Sequence, residues 1–216
     1  MFDYAFALSI LPELLAGLWV TLQVMVAGFF CALIIGVGVA VLLESPVRVL
    51  RIISQSYITF FRQTPLLVQL YFLFFALPQT GLQLPAMSTG MIGLGLYYGA
   101  YIAESFRAAI GDVPRGQWEA ARALDLSPSV TWWRIILPQA LKPMLPILGN
   151  YLIGMFKETP LLAVITIPEL FQTARQIAGL TYRFNEPYTL MALLFLAISL
   201  PTSLLFSVLG KKKRHD

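Results

Sequence analysis

Ionisable and polar side chains set in an otherwise apolar chain are the first candidates for chemistry, because an unpaired charge in hydrocarbon is costly. Glu104, Lys157 and Glu158 stand at or near the ends of apolar runs, where snorkelling to an interface relieves that cost. They suit a solute path or an ion relay, although Glu104 can also simply pair with Arg107. Gln63, Thr64, Gln69 and Tyr97 add neutral donors and acceptors, fit either for a polar path or for hydrogen bonds between helices. Enzymatic chemistry has no comparable foothold. The single cysteine, Cys31, lies in an apolar run, and the single histidine, His215, is in a basic tail. No paired carboxylates and no nucleophile with a base can be picked out, so neither an enzyme nor a metal or other cofactor is expected. A phosphate-cradling G-x-x-x-x-G-K-[ST] loop is also absent from the sequence.

A different kind of site is written between residues 111 and 134. Arg115, Glu119 and Arg122 fall at the spacing of charge pairs on a short helix. Trp118, Ala121 and Leu124 form its apolar face, a motif for lying against a membrane or a partner protein. Ser127 followed by Pro128 is an N-cap and first-turn signal for the next helix. The segment therefore reads as helix, break, helix.

These residues need a frame. With 58% hydrophobic and 12% charged residues among 216, and a mean hydropathy of +0.75, the chain carries about half the charge of a soluble domain. It reads as an all-α, polytopic membrane helix bundle. A spanning helix needs about 20 apolar residues, and five such runs can be drawn, at 17–43, 54–77, 89–110, 136–156 and 188–209. Pro138, Pro143 and Pro146 make the fourth irregular. Residues 1–16 look like an amphipathic segment lying on the membrane surface. Gly28, Ala32, Gly36 and Ala40, and likewise Gly95, Gly99 and Ala103, make ridges of small side chains for close helix packing. The first 47 residues contain no Lys or Arg, so no cleavable signal is expected. If the C-terminal Lys211 to Arg214 run is cytoplasmic, twelve of the 15 basic residues fall inside and only Lys157, Arg175 and Arg183 outside. The N-terminus is then outside, and the 111–134 loop and C-terminus are cytoplasmic. A basic run directly after an apolar helix marks a membrane boundary and not a nucleic-acid site.

The loop also resembles a known pattern. Glu119-Ala120-Ala121 followed by Ile135, Leu137 and Pro138 is similar to the cytoplasmic E-A-A…G…I-x-L-P motif of permease subunits of binding-protein-dependent ABC importers. Asp125 stands where that motif has glycine, a position that asks for a left-handed turn. The Leu15 to Leu22 segment, Phe61-Arg62-Gln63-Thr64-Pro65-Leu66, Ala103-Glu104-Ser105-Phe106-Arg107 and Lys157-Glu158-Thr159-Pro160-Leu161 resemble further segments of the polar amino acid subfamily. Gln63 replaces a usual glycine and Pro160 a usual serine. Permeases of the histidine, glutamine and arginine type share these segments, as do carriers of ectoine-like compatible solutes.

The resemblance implies a multi-pass subunit of the bacterial inner membrane with no cofactor of its own. A separate ATPase dimer uses ATP and Mg, a second permease, identical or homologous, completes the path, and an extracytoplasmic solute-binding protein delivers cargo. Membrane lipid surrounds the bundle, and no nucleic acid is involved. Gly116, Gln117, Glu119, Ala120, Ala121, Arg122, Leu124 and Asp125 are implied to contact the ATPase, with Gln63, Thr64, Gln69, Tyr97, Glu104, Lys157 and Glu158 as candidates for the path. The competing reading is an ion- or proton-coupled secondary transporter.

Overall fold

The structure, a computed structural model, describes residues 2–212, with side chains through Phe206. The basic run Lys211 to Arg214 and His215 lie outside the described side chains. The described residues are all helical or connecting. Helix α1 (Tyr4–Leu43) has 40 residues and is about 60 Å long by helical rise. Its N-cap, Asp3, accepts hydrogen bonds from the backbone N–H groups of Ala5 and Phe6 at 3.0 and 3.1 Å. The separate surface segment expected for residues 1–16 does not form. Ile10 and Leu14 are buried on the same helix as Leu18, Val24 and Met25, and α1 runs unbroken through Pro12.

The second apolar run departs most from expectation. It divides into α2 (Arg48–Gln63) and α3 (Leu66–Tyr71), which continues through a π-helical turn and a 3-10 turn to Thr80. The two parts meet at 106°. Thr64 and Pro65 are both extended, and Pro65 has no N–H to carry the helical ladder across.

Helix α4 (Ala86–Gly111) is the central post, packed against α1, α2 and α7. Its small residues permit this: a Cβ on Gly36 of α1 would stand 2.6 Å from Ile102, and one on Gly95 would stand 2.7 Å from Cys31. α1 and α9 are individually long and apolar enough to cross a membrane, and each of two bent pairs adds a candidate span. α4 is not among these candidates, although residues 89–110 were expected to span. A helix covered by its neighbours has less need of apolar side chains.

After α4 come α5 (Arg115–Ala123) and the single turn α6 (Pro128–Val130). A π-helical stretch, Thr131–Ile136, leads into α7 (Leu137–Glu158). Pro138 occupies its first turn, and the helix continues past Pro143 and Pro146. A 3-10 segment, Thr159–Ile165, then leads to α8 (Leu170–Thr181), which lies outside the five apolar runs. Buried Glu169 caps α8, accepting from the N–H groups of Phe171 and Gln172 at 2.8 and 2.6 Å. Helix α9 (Asn185–Lys212) closes the bundle against α7 and α8.

Candidate coupling helix and solute path

Helix α5 stands off the bundle on a narrow base. Ala121 is buried, and the Trp118 ring meets Trp132 edge to face at 5.5 Å. Gln139 Nε2 donates to Gln117 Oε1 at 3.2 Å, tying the start of the helix to α7. The opposite side is open: Arg115, Gly116, Gln117, Glu119, Ala120, Arg122 and Asp125 are exposed. Leu124, expected on the anchored apolar face, is instead 72% exposed. The charge pairs expected within α5 are also not made, since the described residues contain no ion pair of Glu119 with Arg115 or Arg122. At i, i+4 on a solvated helix such pairs are weak, and the side chains remain free for another surface.

The turn after α5 has a specific conformation. Asp125 adopts φ 52°, in the left-handed region where the related motif carries glycine. Leu126 N–H closes the turn on the Ala121 carbonyl at 3.0 Å. Ser127 Oγ then caps the next helix from Val130 N–H at 3.4 Å.

The path candidates fall into two connected groups and one outlier. Gln69 is buried at the elbow between α2 and α3, its Nε2 donating to Thr64 Oγ1 at 2.7 Å and to the carbonyls of Phe61 and Thr64 at 3.1 Å each. Gln69 Nε2 and Thr64 are thus occupied in fastening the bend, while Gln69 Oε1 is buried without a partner among the described residues. Glu104 forms a two-pronged pair with Arg107, at 2.6 and 3.1 Å, and Arg62 approaches it at 3.8 Å. The Arg62 guanidinium lies 5.4 Å from the Tyr101 ring centroid. Arg62, Gln63 and Tyr101 share a polar cavity of about 260 Å³ with Gln55 and Thr59.

From Tyr101 the polar face continues upward along α4. Tyr101 and Tyr97 hydroxyls are 3.2 Å apart, and Tyr98 O–H donates to Glu158 Oε2 at 2.9 Å. Tyr151 reaches Ser105 at 2.8 Å and packs between Tyr98 and Tyr101. Lys157 is exposed and makes no side-chain hydrogen bond or ion pair among the described residues. Sequence reasoning named Tyr97 but missed Tyr98, Tyr101 and Tyr151. The signal available was three tyrosines at i, i+1 and i+4 on a glycine-rich helix.

A polytopic helix bundle with an exposed helical finger at one end and a polar, tyrosine-lined face inside has the form of a membrane transport subunit. The family can be stated: residues 32–215 match the binding-protein-dependent transport system inner membrane component family, and the chain belongs to it. It is similar to the probable amino-acid ABC transporter permease protein y4tG of Sinorhizobium fredii (strain NBRC 101917 / NGR234), 41% identical, covering 95% of this chain and 89% of that protein. The probable amino-acid ABC transporter permease protein YckA of Bacillus subtilis (strain 168) is 37% identical over 100% of this chain and 95% of its own. A solved structure described as an amino acid ABC transporter with histidines superposes with a TM-score of 0.92 at 34% identity, over 98% of this chain and 99% of that one. The protein is thus a multi-pass permease subunit of an inner-membrane ABC importer, and ATP hydrolysis and cargo delivery belong to an ATPase and a binding protein. None of these relatives is described as an ectoine carrier.

Proposed function

We propose that this subunit carries an amino acid across the inner membrane along the Arg62 to Glu158 face, driven through α5 by a separate ATPase dimer that uses ATP and Mg. The cargo class rests on the relatives described as amino-acid permeases and on the chemistry of the face. An α-carboxylate suits Arg62, and an α-ammonium suits Glu158, Glu104 and the tyrosine rings. Gln63 and Tyr97 line the same route, Gln69 and Thr64 hold its elbow, and Lys157 is offered to the second permease, identical or homologous. In this reading five crossings place the N-terminus outside and α5 in the cytosol, as the distribution of basic residues favours.

The observation that carries the proposal is α5 itself, anchored by Ala121 and Trp118 with its charged side unpaired. Glu119 and Arg122 fix the contact with a groove on the ATPase, and Ala120 permits close approach. Gly116, Gln117, Leu124 and Asp125 complete the surface. Closure of the ATPase dimer moves α5 and rocks the bundle between inward-open and outward-open states. The test is Glu119→Lys in the assembled importer. We expect ATP-coupled uptake to fall about tenfold or more, the scale of a lost interface anchor, with loss of ATPase co-purification. Unchanged uptake and co-purification would remove Glu119 from the contact.

A further inference from the structure

At the Leu43 end of α1, away from the solute path, lies a second cavity of about 390 Å³. Val37, Val41, Phe106, Trp132 and Leu137 line it, and the carboxylate of Glu44 stands at its rim. Glu44 makes no ion pair and no side-chain hydrogen bond among the described residues.

We infer that this cavity binds one acyl chain of a phospholipid whose primary-amine headgroup pairs with Glu44. Two observations select a lipid over a soluble partner. Val37 lies seven residues before Glu44, the C-cap of α1, about 10 Å along the helix axis, so in the topology of the proposed function, on which this step rests, the cavity runs from the cytosolic end of α1 towards the bilayer. The lining is also continuous with an exposed apolar stripe, Phe30, Ile34, Val37 and Val41, at the i, i+4, i+7 and i+11 spacing of one helix face. A chain seated in the cavity runs onto that stripe and so into the bilayer without crossing a polar barrier. The headgroup follows from charge: an ammonium N–H donates to the Glu44 carboxylate, which no side chain of the described residues pairs. Trp133, 70% exposed beside the cavity, has the amphipathic ring that settles at headgroup level.

The full-length chain in nanodiscs, made with acyl-brominated phosphatidylethanolamine or phosphatidylcholine at equal mole fraction, provides the test through tryptophan quenching. Trp132 and Trp133 report on the cavity, and Trp19→Phe and Trp118→Phe in every variant remove the other two tryptophans from the signal. The ethanolamine lipid is expected to quench several-fold more than the choline lipid, whose trimethylammonium has no N–H to donate. Glu44→Gln, at an exposed position, should erase the difference. Val41→Phe, which narrows the cavity from an exposed site, should lower quenching by the ethanolamine lipid towards the choline level. Equal quenching by the two lipids in the unaltered chain, or no quenching of either tryptophan, would overturn the inference. Because the measurement needs neither ATP nor cargo, its failure leaves the proposed transport route untouched.

Discussion

Asp125 shows how one side chain in a motif can depart from the usual residue without altering the backbone. The motif's spacing asks for a left-handed residue after α5, and φ 52° shows that Asp125 supplies it. Asp pays less for that conformation than a β-branched residue, and glycine pays least. Asp125→Gly is therefore expected to retain uptake. Asp125→Val should cost about 1–2 kcal/mol locally and lower the uptake supported per ATP hydrolysed, measured in proteoliposomes. Glu104 makes the two-pronged bond to Arg107 that its spacing allows, with Arg62 at 3.8 Å. Tyr98 and Tyr151 escaped notice for a plain reason. A tyrosine in an apolar run reads as a core residue until a second helix brings an acceptor such as Glu158 to its hydroxyl.

At the scale of elements, the ridges of small residues were legible and the bends were not. The α1 to α4 contact follows from glycine and alanine spacing, because only small side chains let two backbones approach closely. Gly36→Val drives methyl groups into Ile102, and in a contact this tight should cost about 1–3 kcal/mol. A lowered melting temperature of the purified chain in detergent is the readout, with Gly38→Val as the control, since nothing lies within 4 Å of a Cβ there. The 106° elbow at Thr64-Pro65 was hidden because hydropathy averages over a window and carries no direction. Helix α8 was hidden by its 12 residues, too few to span and flanked by charge. Its cap, Glu169, is buried with both carboxylate oxygens bonded to the first N–H groups of the helix.

Taken whole, the subunit ties the start of its chain to the turn before its last helix at one pole. Asp3 pairs with Arg183 at 2.9 Å, the Asp3 N–H donates to Glu186 at 2.9 Å, and the Arg183 guanidinium lies 4.6 Å from the Phe6 ring centroid. This clasp links the start of α1 to the turn between α8 and α9. The Phe6 backbone N–H, and after it the Arg183 side chain, hold the Asp3 carboxyl below its ordinary value of 3.8. A depressed folded-state value means that the clasp contributes fully above the unfolded-state value and is lost as pH falls through the folded-state one. Acidification below about pH 4 should therefore loosen this pole progressively. Limited proteolysis within residues 181–185 should rise over that range, and Asp3→Asn should show the higher cleavage already at neutral pH.

Composition and spacing alone determined that the chain is an all-helical membrane protein and that residues 111–134 form a helix, a turn and a second helix; a separate ATPase was implied by the resemblance of its motifs. The first two are carried by nearest neighbours along the chain or by solvent preference summed over it, and both are present in a linear string. Only the tertiary structure decided that α2 and α3 meet in an elbow, that α4 is enclosed, and that three further tyrosines join Tyr97 and Glu158. It alone brought Glu44 to the rim of an apolar cavity. Those features depend on contacts between residues dozens of positions apart, and their geometry exists only once the helices have packed.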